Sequence, residues 1–193
     1  DLGVRIAKVM SPTPVKMIWT RENETQHDYY RPAALSRHTG TLDANNLPTS
    51  VASKYTGPGD GEAVAMPYAI AAKDADAVKS EHHIRTGQWR SVNNSQHGFF
   101  KESFIDELAN AAGVDPFGFR RALLNDEPRF KAALEKAAEM SGWGTALPAG
   151  EGRGIAVCES FGTICAEVAH VAVATDGTLT VKHVYAAVDC GDI

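Results

Sequence analysis

A chain of 193 residues, 44% hydrophobic and 22% charged, fits one domain or two small ones and can bury a real core, which excludes a disordered chain. The formal net charge of −5, with no basic cluster longer than Arg120-Arg121, excludes a nucleic-acid-binding face. The three cysteines, Cys158, Cys165 and Cys190, show no CxxC or CxxxxC spacing, which argues against a disulfide framework and against zinc or iron–sulfur sites, and no apolar run approaches the roughly 20 residues of a membrane span.

In chain order, residues 2–9 read as a short helix with Leu2, Ile6, Ala7 and Val9 apolar, stopped by Pro12 and Pro14. Val15 to Thr20 alternates large apolar and polar residues and predicts a strand. Arg21 to Asp28 is polar and predicts a loop or a single turn of helix. Ala33–His38 and Thr49–Tyr55 predict a hairpin around turn residues Asp43, Asn45 and Asn46. Gly57 to Gly61 reads as a flexible linker. Residues 62–97 show no steady period and predict mostly loop, with a strand near 81–86.

The middle is helical. Phe100, Phe104, Ile105, Leu108 and Ala112 recur at three- and four-residue steps, and Gly113 supplies a stop. Asp115-Pro116 predicts an N-cap and the start of a helix through Leu124; Asp126 with Pro128 predicts a third helix through Met140. Leu147–Gly154 reads as a glycine-rich loop and Ile155–Cys158 as a short strand. Asp176-Gly177 between two β-rich runs, Ile164–Thr175 and Thr178–Val188, predicts a hairpin. The order β-rich, helical, β-rich defines an α+β fold. We divide it at residue 61, with a β-rich segment and short helix before and the loop, helices and C-terminal strands over 62–193.

The spacing of the chemistry-bearing residues defines no reaction. Gly150-Glu151-Gly152-Arg153-Gly154 follows a helix and precedes a strand, the reverse of a dinucleotide fingerprint. Glu81, His82, His83 and His97 could hold a metal on paper, but adjacent histidines on a strand point to opposite faces, which favours a polar loop. His27, Asp28, Tyr29 and Tyr30 read as packing and hydrogen-bonding groups. Cys158 lies beside Glu159, and a carboxylate raises a thiol pKa, which argues against a nucleophile; Cys165 and Cys190 read as core.

Three segments, in order, carry a resemblance. They are Pro14–Glu24 with His27–Pro32 ("PVKMIWTRENE", "HDYYRP"); Gln88–Val92 running into Glu102–Ala109 ("QWRSV", "ESFIDELA"), with Asp115-Pro116 and Arg120–Leu124 downstream; and Gly142–Gly144, Gly152–Ala156, Glu159–Gly162 and Ala187–Gly191. Together they resemble the large, molybdenum-cofactor subunits of the bacterial molybdenum hydroxylases, of the isoquinoline 1-oxidoreductase beta-subunit type rather than the xanthine dehydrogenase type. The resemblance implies part of a molybdopterin-binding domain from an enzyme that hydroxylates an N-heterocycle or oxidises an aldehyde with oxygen from water. It implies a molybdenum–molybdopterin cytosine dinucleotide cofactor and a [2Fe–2S] small subunit as partner.

Residue by residue, the resemblance puts Arg90 on the loop against the cofactor, flanked by Trp89 and Ser91. Val92 falls where relatives place a substrate-facing aromatic, which implies a smaller pocket wall. Val157, Cys158 and Glu159 fall on a second pocket-lining segment. The glycine-rich "GGxGx[RK]" loop is expected before Asp1, the "GxxExGQG" segment is missing, and the glutamate base is expected beyond Ile193. No catalytic base and no metal ligand are therefore assigned within the chain. We expect an internal piece that binds no molybdenum alone, exposes apolar surface beside Gln88–Val92 and on the last strand, and self-associates through 178–190. Many relatives of this kind are exported by a twin-arginine signal, which implies a periplasmic or cytoplasmic-membrane-associated parent; no such signal lies in these residues, and they do not fix the compartment. The alternative is a stand-alone interaction module with the same fold and no catalysis.

Overall fold

The computed structural model describes residues 2–57, 62, 65–78, 80 and 83–192. Among them are five helices and two three-stranded sheets, an α+β arrangement in the order the sequence predicts. The chain forms two compact units, Asp1–Pro32 with His83–Gln88, and Ala33–His82 with Trp89–Ile193. These units are drawn differently from the sequence division at residue 61.

In the smaller unit, α1 (Leu2–Met10) is amphipathic and buries no residue. Helix α2 (Arg21–His27) begins at Thr20, whose Oγ1 accepts the Asn23 amide at 3.3 Å, with Glu22 and Glu24 in the first turn where the helix dipole favours acids. Val15–Thr20 is not a strand, and Met17, Ile18 and Trp19 are exposed. Alternation supplies the propensity for a strand, but a strand also needs a partner to take up its backbone groups, and among the described residues this segment pairs with none. The strand expected near 81–86 is reduced to one parallel bridge between Tyr30 and Thr86, with the Arg85 guanidinium 4.7 Å over the Tyr29 ring. Glu81 and His82 lie outside the described residues.

The larger unit opens with the expected hairpin. Strands β1 (Leu35–Leu42) and β2 (Pro48–Thr56) are antiparallel, and Asp43 Oδ1 closes their turn by accepting the Asn45 and Leu47 amides at 2.8 and 2.9 Å. The linker residues 58–61 lie outside the described residues. Strand β3 (Ala72–Ala77) then pairs parallel to β2, within the stretch expected to be loop. Its alanines and aspartates have poor strand propensity. The ladder to β2 and the Lys54–Asp76 ion pair at 3.1 Å hold it instead.

Helix α3 (Asn94–Ala112) ends where Gly113 turns left-handed at φ +67°. Helix α4 (Pro116–Ala122) is capped by the Asp115 carboxylate on the Gly118 amide at 2.8 Å. Helix α5 (Pro128–Ser141) starts one residue later than expected: because Pro128 takes the first helical position, Glu127 and not Asp126 is the N-cap, and it makes no side-chain cap bond.

Strand β4 (Glu151–Ser160) absorbs half of the expected glycine loop, with Gly152 opposite Val171 and Gly154 opposite Ala169. Pairing with a long apolar neighbour outweighs the poor propensity of the two glycines. Strands β5 (Thr163–Val173) and β6 (Leu179–Asp189) form the expected Asp-Gly hairpin, with Gly177 at φ +86°. Ile164, Ala166, Val168 and His170 alternate onto the buried face of β5, and α5 packs across β5 and β6 with Ala133, Leu134, Ala137 and Ala138 buried. Leu179, Val181, Val184 and Val188 stand exposed on β6, and Trp89 is 40% exposed, as expected for the last strand and the Gln88–Val92 flank. Cys190 is exposed rather than core, because β6 ends at Asp189; Cys158 and Cys165 are half-buried.

Candidate functional site

A buried carboxylate organises the centre of the larger unit. Glu102, on α3, accepts the Tyr68 hydroxyl at 2.9 and 3.1 Å, Arg120 Nε at 2.9 Å and the Val157 backbone amide at 3.0 Å. Arg120 is fully buried; its other nitrogens donate to Asp106 Oδ1 at 2.5 Å and to the Glu102 and Pro116 carbonyls. Burial opposes the Arg120 charge, but Glu102, Tyr68 and Asp106 more than offset it and raise its pKa. Burial, with Glu102 beside it, pushes the Tyr68 hydroxyl well up. In effect the Glu102 carboxylate stands where a further strand would be, taking up an amide on the outer edge of β4.

One helical turn before Glu102, Gly98 lets α3 lie close to β4: a Cβ there would meet Cys158 Sγ at 3.2 Å. Burial, with Glu102 adding to it, pushes the Cys158 thiol up to about 12. The thiol is raised as the sequence predicts, but the carboxylate responsible is Glu102, 56 positions away in the chain, and not the neighbouring Glu159. Glu159 instead accepts the Gly162 amide at 2.5 Å.

A cavity of about 500 Å³ opens beside this cluster. Val157, Cys158 and Glu159 line it, with Glu102, Phe130 and Phe161. Lys101, also on its wall, donates to the Ala65 carbonyl at 2.5 Å, and burial lowers its pKa. The part played by Phe161 is not evident from the sequence. It sits with Gly162 in a two-residue turn between β4 and β5, at φ +54° and +82°, and is 79% exposed. Its signal in the sequence is the Phe-Gly pair between two β-rich runs, masked because the usual first residue of such a turn is Asn or Asp.

Trp89, Arg90, Ser91 and Val92 form a turn immediately before α3 and do not line the cavity. Arg90 is exposed, and Ser91 Oγ donates to the Arg90 carbonyl at 2.5 Å. Ser91 and Val92 are both left-handed, at φ +62° and +47°. Two successive non-glycine residues there, one of them β-branched, are a stored strain of the kind that clusters at functional sites. Two residues on, Asn94 lines the cavity and donates from Nδ2 to Ser160 Oγ at 3.1 Å. The fold thus joins the two segments, though through Asn94 and not through Arg90. His97 is buried in α3 against the rings of Tyr55 and Phe100. Among the described residues no group of three or more His, Cys, Asp or Glu side chains could hold a metal ion, and no helix is long and apolar enough to cross a membrane.

Comparison with known proteins gives three relevant relatives. The chain is 29% identical to the beta subunit of the isoquinoline 1-oxidoreductase of Brevundimonas diminuta, over 92% of this chain and 26% of that one. It is 29% identical to a membrane-bound aldehyde dehydrogenase (pyrroloquinoline-quinone) of Gluconacetobacter polyoxogenes, over 78% of this chain and 25% of that one. Over 60 residues, 31% of this chain and 5% of the relative, it is 42% identical to one subunit of the nicotinate dehydrogenase of Pseudomonas putida. Among solved structures, the aldehyde oxidoreductase of Desulfovibrio gigas matches with a TM-score of 0.48 at 20% identity, over 84% of this chain and 22% of that one. No protein-family model matches the chain.

The chain is a homologue of the beta subunit of the isoquinoline 1-oxidoreductase. It spans about a quarter of the length of the first two relatives, 26% and 25%.

Proposed function

We propose that this chain supplies one wall of the substrate and cofactor site of an oxidoreductase that hydroxylates an N-heterocycle or oxidises an aldehyde, and that it is inactive alone. The observation carrying this reading is the Asn94–Ser160 hydrogen bond, which brings the strained 89–92 turn against the cavity end of β4 although 66 positions separate the two residues. In this reading Val157, Cys158 and Glu159, with Val92 at the margin, face the substrate. The Val157 and Cys158 side chains and the Phe130 and Phe161 rings suit a flat aromatic or a short aldehyde, with the Glu159 carboxylate beside them.

The turn has donors for an oxygen-rich anion in the Arg90 guanidinium and the Ser91 backbone amide, while the Val92 amide closes the turn on the Trp89 carbonyl at 2.8 Å. It offers no metal ligand of its own. That combination fits a cofactor that brings its metal on its own ligands, here a molybdopterin, in the cytosine dinucleotide form. Arg90 would pair with it by charge, Ser91 would offer a backbone amide, and Trp89 would cover it with an apolar ring. When bound, the cofactor accepts the electron pair taken from the substrate while water supplies the oxygen. The acid–base group and the remaining cradle belong to other parts of the enzyme, and a [2Fe–2S] small subunit carries the electrons away.

The test is R90A in the full-length subunit produced with its partner, read as molybdenum per polypeptide and as turnover. The expected result is loss of most of the metal and of activity, with circular dichroism unchanged. Full metal content with wild-type turnover in R90A would overturn the reading, as would stoichiometric molybdenum in the isolated 193-residue chain.

A further inference from the structure

We propose that Glu102 is a positioning residue: held by Arg120 and Tyr68, it sets where the Val157–Cys158–Glu159 wall of the cavity stands relative to α3. This rests on the reading of that wall as part of the substrate site. Three observations carry it. Glu102 receives donors from three separate segments, the Tyr68 loop, α4 and β4, so one side chain fixes three backbones. Its bond to β4 goes to the main chain at Val157, the first residue of the wall, and so holds backbone rather than a rotatable side chain. Gly98, one turn earlier on the same face of α3, lets the helix approach so closely that a Cβ there would stand 3.2 Å from Cys158 Sγ, so a shift of the Glu102 anchor changes the packing around Cys158.

A buried charge cluster could instead serve folding alone, and the two roles separate experimentally. If Glu102 positions the wall, weakening it moves β4 at residues 157–159 and leaves the neighbouring strands β5 and β6 in place. Cys158 reports that movement. Cys165 sits opposite it in the β4–β5 register, and Cys190 is exposed.

The experiment uses the full-length subunit with its partner, as wild type, E102Q and Y68F. E102Q replaces the carboxylate with an amide of the same shape; Y68F removes one donor and guards against a failure of E102Q to fold. Iodoacetamide labelling at pH 8, read by mass spectrometry at each thiol, is the first readout. We expect Cys158 labelling to rise on the order of tenfold in E102Q, where loss of the Glu102 charge itself also lowers the thiol pKa, and by a smaller factor in Y68F, which keeps that charge and so reports movement alone, with Cys165 and Cys190 unchanged. The second readout is KM and kcat per molybdenum for whichever of isoquinoline, nicotinate and acetaldehyde the wild type oxidises. A displaced wall weakens ground-state and transition-state binding alike, so KM rises several-fold and kcat stays within about twofold.

Labelling that in Y68F rises equally at Cys158 and Cys165, or at neither, overturns the positioning role, whatever E102Q does. Selective Cys158 labelling with unchanged KM supports the positioning of the wall and overturns the assignment of the wall to the substrate site. The two failures are therefore distinguishable.

Discussion

The Asn94 side-chain amide donates to Ser160 Oγ at 3.1 Å, tying the first residue of α3 to the last residue of β4. Each partner adjoins a strained turn: Ser91 and Val92 precede Asn94, and Phe161 follows Ser160. Left-handed non-glycine backbone persists only where its surroundings over-determine it, and this bond is one of the restraints. Removing either side chain, as N94A or S160A, should cost about 0.5–1.5 kcal/mol in urea unfolding of the chain. The double variant should cost less than the sum, since the second substitution has no bond left to remove. Strict additivity in the cycle would show the two groups to be uncoupled.

Phe161 is a poor first residue for its turn. A bulky L-residue in the left-handed region costs roughly 1–2 kcal/mol, whereas Asn tolerates that conformation through local hydrogen bonding. The ring is 79% exposed and loses little burial when removed. F161N should therefore stabilise the chain by about 1 kcal/mol, visible as a raised urea midpoint with an unchanged slope. If the ring also shapes the cavity mouth, the same substitution in the full-length enzyme raises KM while stability improves. A lowered midpoint would mean that the turn is not left-handed at this position.

Arg120 should be among the most sensitive positions in the chain. R120M removes the cation beside the Glu102 and Asp106 carboxylates and takes one donor from each, leaving Glu102 only its Tyr68 and Val157 donors, and it removes the bonds to two backbone carbonyls. Breaking a buried pair from one side costs roughly 3–5 kcal/mol, a large share of the stability of a domain this size. Replacing Arg121, whose ion pair with Glu135 leaves the two side chains 54% and 40% exposed, should cost under about 1 kcal/mol. Thermal unfolding of R120M beside R121A checks the contrast, and equal losses would contradict it.

The C-terminal end of β6 carries a pH-dependent clasp. Arg129 donates to Asp189 through Nε at 2.9 Å and Nη2 at 2.8 Å. That pairing, with the Gly191 amide, lowers the Asp189 pKa from 3.8 to about 2. A carboxyl whose pKa is depressed on folding adds stability that is fully present above its unfolded value and disappears as pH falls through its folded value. The destabilisation caused by R129A should therefore be constant above about pH 5, shrink between about pH 4 and 2, and vanish below. Urea midpoints of wild type and R129A across that range give the difference directly; a constant difference down to about pH 2 would rule the pair out as its source.

Periodicity and punctuation make much of this fold legible without coordinates. The helical spacing from Phe100 to Ala112, the Asp115-Pro116 start and the Asp176-Gly177 turn each act over a few residues, so their outcome is settled locally. Residues whose state depends on a distant partner are not legible in this way. Val15–Thr20 has strand propensity and no strand partner among the described residues; Ala72–Ala77 has little propensity but finds β2; Gly152 and Gly154 are drawn into β4 by β5. For the proposed site, the motifs around Arg90 and Val157–Glu159 come from a resemblance, which needs only the order of residues. The Glu102–Arg120–Tyr68 cluster and the approach of Gly98 to Cys158 cannot be read from that order. They join positions 18 to 60 apart, and a hydrogen bond between buried groups at such separations exists only once packing has placed its donors and acceptor within about 3 Å of one another.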